Sequence, residues 1–125
     1  MIMKRMLKNQ QMVEMIGQLQ PLLSQRNKIG YVAARNTRML SDQLVEFEQV
    51  RRDLIEQYGT DTEDENGATI KMIKFGTPEF RSFCDAIEPF AAIEHEVELM
   101  TAKYDDVIGC LSGEEILAID WMLED

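Results

Sequence analysis

The sequence predicts an α+β fold, predominantly α-helical: a long antiparallel helical hairpin packed with a small two- or three-stranded sheet and two shorter helices. Three observations carry that reading. Apolar residues recur at spacings of three and four from Val32 to Tyr58, about seven turns of helix. From Ile93 to Met100 the pattern instead alternates strictly, as in a half-buried strand. Helix-start signals open two further elements, at Thr77-Pro78 and at Ser112-Gly113-Glu114-Glu115.

The residues before Asn9 can extend the first helix or form a strand, and the strand is the preferred reading. Asn9 then caps a helix over residues 10–24, whose apolar edge is Met12, Met15, Ile16, Leu19, Leu22 and Leu23. Pro21 has no amide proton and presses on the carbonyl of Gly17, so a bend is expected there. The second, long helix carries Val32, Ala33, Asn36, Leu40, Leu44, Phe47, Val50, Leu54 and Tyr58 on one stripe and ends at Gly59. Small residues at its start, Gly30, Ala33 and Ala34, let another backbone approach closely. A polar Asn36 inside the apolar stripe is the mark of a residue that fixes pairing or register at some cost in stability.

Thr60 to Gly67 reads as a solvated acidic loop ending in an Asn-Gly turn. Ala68 to Phe75 alternates as a strand, with either Ile70 and Met72 or Ile73 and Phe75 on the buried side. Thr77 caps a helix bearing Phe80, Phe83, Cys84, Ile87 and Ala91 on one face, with Pro89 bending its end. In the next strand Ile93, His95, Val97 and Leu99 face inward, while Glu94, Glu96 and Glu98 face outward. Ile116, Ile119 and Leu123 form the inner edge of the last helix.

At 125 residues and 45% apolar content the chain has the size of one domain, residues 1–125, with a core that needs no staples. Charge divides it along its length. Residues 1–58, the helical half, carry nine Lys or Arg against six Asp or Glu, a balance of +3. Residues 59–125, the acidic half, carry four against seventeen, a balance of −13. Folded structure with that negative field favours a basic partner surface and opposes direct nucleic-acid binding. The apolar runs are too short to cross a membrane, and the start of the chain lacks a signal peptide's apolar stretch, so a cytoplasmic protein is expected. Cys84 and Cys110 share no metal or redox spacing and read as small buried hydrophobes.

Catalytic and metal-binding patterns are not met. Counted from Asp61, the glycine a calcium loop needs at its sixth position falls on Asn66 and the glutamate at its twelfth on Met72. Counted from Thr62, Gly67 is placed correctly but the first ligand is lost and the last becomes Ile73. His95 is the sole histidine and reads as a core-facing residue satisfied by a hydrogen bond, since period two sends Glu94 and Glu96 to the other face. Ser112 is explained by its capping role, and neither cysteine has a base beside it in sequence. The reading is therefore non-enzymatic, with no cofactor and no metal. The basic group Arg26, Lys28, Arg35 and Arg38 could contact phosphate, but pairing with the acidic half or plain solvation accounts for it better.

The carboxylates of the second half are the candidate partner-binding residues. Glu94, Glu96 and Glu98 recur about 7 Å apart along one strand face, a spacing comparable with the phosphates of a nucleic-acid strand. Asp105, Asp106, Glu114 and Glu115 follow closely in sequence. The plainer alternative is a charged solvent face that also blocks edge-to-edge pairing.

Five short stretches, in order, resemble small uncharacterised proteins from phages and prophages of Gram-positive bacteria. They are Leu7-Lys8-Asn9-Gln10-Gln11, Gly30-Tyr31-Val32-Ala33-Ala34-Arg35-Asn36, Leu54-Ile55-Glu56-Gln57-Tyr58-Gly59, Asp64-Glu65-Asn66-Gly67 and Leu111-Ser112-Gly113-Glu114-Glu115. The resemblance spans most of the chain and implies phage origin without assigning catalytic residues. It implies two occupations: occluding a host defence machine or assisting virion assembly. The first expectation is a non-catalytic inhibitor of a nucleic-acid-binding host defence enzyme, such as a nuclease, docked through the acidic half. The second is an oligomeric, chaperone-like assembly factor joined through the long helices and the small residues around Gly30 and Ala33.

Overall fold

A computed structural model describes residues 2–124; Met1 and Asp125 lie outside the described residues. The α+β class is observed, in two compact units. The first comprises the chain up to Leu44 together with Glu94 onward, and the second is Val45–Ile93.

The first unit opens with strand β1 (Ile2–Lys8), helix α1 (Asn9–Leu19) and a 3-10 turn at Gln20–Leu22, followed by α2 (Lys28–Gln43). The preferred strand before Asn9 is observed. Asn9 is the first residue of α1 rather than its cap: Lys8 holds the cap position, where its N–H donates to Gln11 Oε1 at 2.8 Å. Pro21 sits where the α-helix tightens to 3-10, as expected of a residue lacking an amide proton. Asn27 caps α2 by accepting from Gly30 N–H.

After the second unit the chain returns as β4 (Glu94–Met100), β5 (Ala102–Lys103), a 3-10 turn at Tyr104–Asp106, the short α5 (Gly113–Ala118), another 3-10 turn at Asp120–Met122, and β6 (Leu123–Glu124). Strand β4 pairs antiparallel with β1, from Lys8 opposite Glu94 to Ile2 opposite Met100. Strands β5 and β6 form a small parallel pair. Helices α1 and α2 pack on each other and α2 packs on β4. That arrangement seals Leu7, Met12, Leu19, Ile29, Val32, Leu40, Val97 and Leu99 from water. Each such aliphatic side chain contributes about 1.5–3 kcal/mol on burial.

The expected long helical hairpin is not formed. The stripe from Val32 to Tyr58 is divided into α2 and α3 (Val45–Tyr58) by Leu44, whose φ of −96° and ψ of 2° leave the helical range. Ser41 and Asp42 immediately precede the break; both compete with helix by bonding locally, and a carboxylate at a helix C-terminus opposes the helix dipole. Glu46 and Glu48 then favour a new N-terminus. The expected last helix likewise stops at Ala118, so Leu123 lies in β6 rather than on a helix edge. Asp120, again unfavourable at a helix end, accepts instead from the Tyr104 hydroxyl.

In the second unit α3 is followed by β2 (Thr60–Glu63), β3 (Thr69–Met72) and α4 (Pro78–Ala91). Strands β2 and β3 pair antiparallel, so the first half of the expected acidic loop is a strand. The Asn-Gly turn is as expected. Gly67 has φ of +80°, and Asp64 Oδ1 accepts from both Asn66 N–H and Ala68 N–H at 2.9 Å. Thr77 caps α4 as predicted, accepting from Phe80 N–H, and Pro89 remains inside the helix. Helices α3 and α4 pack on each other. Among the described residues of this unit, Phe47 is the one that is buried.

Both cysteines are exposed, against the expectation that they fill the core. Cys84 lies at the exposed margin of the predicted inner face of α4, whose Phe80, Phe83, Ile87 and Ala91 are half-buried, and Cys110 lies in the loop before α5.

Candidate functional site

All seven predicted carboxylates fall in the first unit, but in different circumstances. Alternation places Glu94, Glu96 and Glu98 on the outer side of β4, because Val97 and Leu99 occupy the inner side at 1% and 0% exposure. The scaffold beneath this row is therefore fixed. Register places Lys8 opposite Glu94, Met6 opposite Glu96 and Lys4 opposite Glu98. Lys4 Nζ lies 3.9 Å from Glu96 and 3.7 Å from Glu98, and all three side chains are more than half exposed. Three carboxylates thus share a face with two ammonium groups, and exposed pairs of this kind stabilise by about 0–1 kcal/mol at most.

Asp106 and Glu115 hold local backbone. Asp106 Oδ2 accepts from Lys103 N–H at 3.1 Å and pairs with Lys28 Nζ at 3.3 Å. The Lys103 bond, opposed by partial burial and reinforced by Lys28, keeps this carboxyl below the ordinary aspartate range. Glu115 Oε1 accepts from Ser112 N–H while Ser112 Oγ accepts from Glu115 N–H, completing the predicted capping box. Asp105 and Glu114 are exposed.

His95 is half-buried opposite Leu7, and its ring has no hydrogen-bond partner among the described residues, contrary to expectation; its partial exposure leaves the ring open to water. In the acidic turn, Asp64 is engaged by two backbone amides and Asp61 pairs with Lys71 at 3.0 Å. That pairing, a hydrogen bond first and charge second, raises the Lys71 pKa. Among the described residues no three His, Cys, Asp or Glu side chains gather as a metal site. Of the basic group, Lys28 pairs with Asp106, while Arg35 and Arg38 line a shallow recess with Tyr31 and Ala34 on α2. Gly30 and Ala33 are buried inside the unit, and a Cβ on Gly30 would stand 2.0 Å from the Gln25 carbonyl oxygen. The close approach at Gly30 is made by the chain's own Gln25, not by a partner.

Asn36 is fully buried and bonds the end of β4. Its Nδ2 donates to Met100 O at 2.9 Å and its Oδ1 accepts from Met100 N–H at 2.7 Å, with Met122 Sδ at 3.5 Å from Nδ2. This is the register-fixing role its position in the stripe predicts.

One surface feature escapes the sequence reading. In the second unit Arg51 and Ile55 of α3, Lys71 and Met72 of β3 with Ile73 just after it, and Phe80 and Phe83 of α4 line an open groove of about 330 Å³. The i, i+4 and i, i+3 spacings that bring Arg51 to Ile55 and Phe80 to Phe83 are legible in the sequence. That the face they form stays uncovered is not.

Among the described residues no helix is long and apolar enough to cross a membrane. Comparison with protein-family models, with curated proteins and with solved structures gives no match.

Proposed function

We propose that this chain is a non-catalytic protein-binding module of phage type, acting in the host cytoplasm on a partner with a basic surface, in the concrete case a nucleic-acid-binding defence enzyme. The observation that carries the reading is that the acidic excess belongs to each compact unit separately. The first unit has eight Lys or Arg against twelve Asp or Glu, net −4, and the second has five against eleven, net −6. Refolding of the sequence halves into these units removes the basic region that residues 1–58 suggested, so a basic partner is attracted to either unit. Supporting the non-catalytic part, three of the carboxylates are spent on backbone: Asp106 on Lys103, Glu115 on Ser112, Asp64 on its own turn.

The interleaving of Lys4 and Lys8 with Glu94, Glu96 and Glu98 gives that face a net charge of only −1, which argues for electrostatic steering rather than close imitation of a phosphate row. The experiment is binding to an immobilised basic nuclease and to a neutral protein of similar size, at low and high salt. Binding to the nuclease that falls steeply with salt is expected. Equal retention on both proteins, or none on the nuclease, would remove the proposal.

A further inference from the structure

The second unit buries Phe47 among its described residues and leaves most of its other apolar side chains half-buried or exposed. Phe75 is 87% exposed, Met72 46% and Ile70 38%, α4 contains no buried residue, and Phe75 reaches the rest of the unit through a ring contact with Phe80 at 5.0 Å. Exposed apolar groups around a groove, on a unit that is otherwise strongly charged, are the pattern of a protein-binding surface. The charge narrows the occupant. A unit of net −6 on a chain of net −10 repels a second copy of itself and attracts cations. The two cations at the groove already have anionic neighbours, Arg51 with Glu48 at 3.7 Å and Lys71 with Asp61 at 3.0 Å, so they do not call for an acidic ligand.

We propose that the groove floored by Ile55, Ile73, Phe80 and Phe83 receives one amphipathic helix of the partner, its apolar edge seated between α3 and α4 and its polar side basic. The site rests on the reading of a basic partner and adds where that partner is held. Two packed helices leave a furrow matched to side chains projecting at i, i+3 and i+4, as in helix-in-groove recognition. Basic residues flanking that edge meet Glu48, Glu56 and Asp61, which lie beside Arg51, Ile55 and Lys71 of the lining.

The test uses the full chain and fluorescence anisotropy of labelled model peptides: a Leu/Lys peptide of helical period, the same apolar pattern with Glu for Lys, and the Leu/Lys peptide interrupted by proline. The uninterrupted Leu/Lys peptide is expected to bind and to retain part of its affinity at high salt. Phe83→Ala should weaken it by about tenfold or more, the size of a hot-spot truncation. Met72→Ser, at a half-exposed position with no core to lose, is expected to act in the same direction. Glu94→Lys with Glu96→Lys and Glu98→Lys should change it little beyond the salt-dependent part. If the triple variant abolishes binding and the groove variants do not, the groove is wrong and the basic-partner reading survives. If the proline peptide binds as well as the intact one, the helical occupant is wrong. Preference for the Leu/Glu peptide, or no binding by any probe, overturns both.

Discussion

Replacing Asn36 by alanine leaves the N–H and C=O of Met100 without the side chain that satisfies them, at the point where β4 is tied to α2. An unsatisfied buried backbone group costs about 1–3 kcal/mol. Met100 is only half-buried, so water recovers part of that, and the two groups together should cost about 2–4 kcal/mol. Trp121 is a built-in reporter of this unit, because it is the sole tryptophan and its Nε1–H donates to Gln18 at 2.8 Å across 103 residues of chain. With a urea dependence of about 2 kcal/mol per molar, the Trp121 midpoint of Asn36→Ala should fall by about 1–2 M. Asn36→Asp separates bonding from volume: it places an acceptor against the Met100 carbonyl and raises the new carboxyl's folded pKa. Its defect should therefore shrink as pH falls below the ordinary aspartate range, where the proton restores a donor, and grow as pH rises through the raised value. A midpoint shift under about 0.3 M for Asn36→Ala, or a pH-independent Asn36→Asp defect, would refute the claim that these bonds hold β4 in place.

Glycine replacements should act with opposite signs within the same unit. Gly30→Ala forces a Cβ to 2.0 Å from Gln25 O and should cost about 1–3 kcal/mol, whereas Gly17→Ala, with nothing within 4 Å, should stabilise α1 by about 0.5–1 kcal/mol, both read from Trp121 urea midpoints. Asp106 is held below its usual pKa by Lys103 N–H and Lys28, so its contribution is present above the ordinary aspartate value and is lost as pH falls through the folded value; Asp106→Asn should make the acid limb of stability against pH shallower. Both exposed thiols, Cys84 and Cys110, should react with a chromogenic disulfide in the native protein, and a thiol that waits for urea would contradict its exposure.

Local chemistry was the legible part of this fold. The caps at Thr77 and Ser112, the Asn-Gly turn and the tightening at Pro21 each depend on residues within one turn of chain, and each stands where the sequence places it. The alternation of β4 was legible because Val97 and Leu99 on its inner side are sealed, which is what makes a two-residue period informative, whereas Ile93, expected on that side, precedes the strand and is 46% exposed. The break at Leu44 was hidden because the apolar spacing keeps its phase from Leu40 to Phe47 while the backbone does not. Strand β2 was hidden because Thr60-Asp61-Thr62-Glu63 has no apolar residue to mark a face. For the candidate site, sequence grouped Glu94, Glu96 and Glu98 correctly but could not show Lys4 and Lys8 opposite them, since strand pairing is a tertiary fact. Periodicity likewise groups Phe80 with Phe83 without saying whether anything covers them.

The pairing of β1 with β4 joins residues 86 to 98 positions apart, with the whole Val45–Ile93 segment between them. On a ribosome elongating at about 5–20 residues per second, β1 therefore emerges roughly 4–20 seconds before its partner. Its exposed Ile2 and Met6 spend that interval unprotected by a neighbouring strand. The intervening segment has its helix pair and ribbon close at hand in sequence and can organise first. Nascent-chain quality should thus depend on how long β1 waits, and slowing translation between the codons of β1 and those of β4 should harm yield more than slowing it before β1 is made.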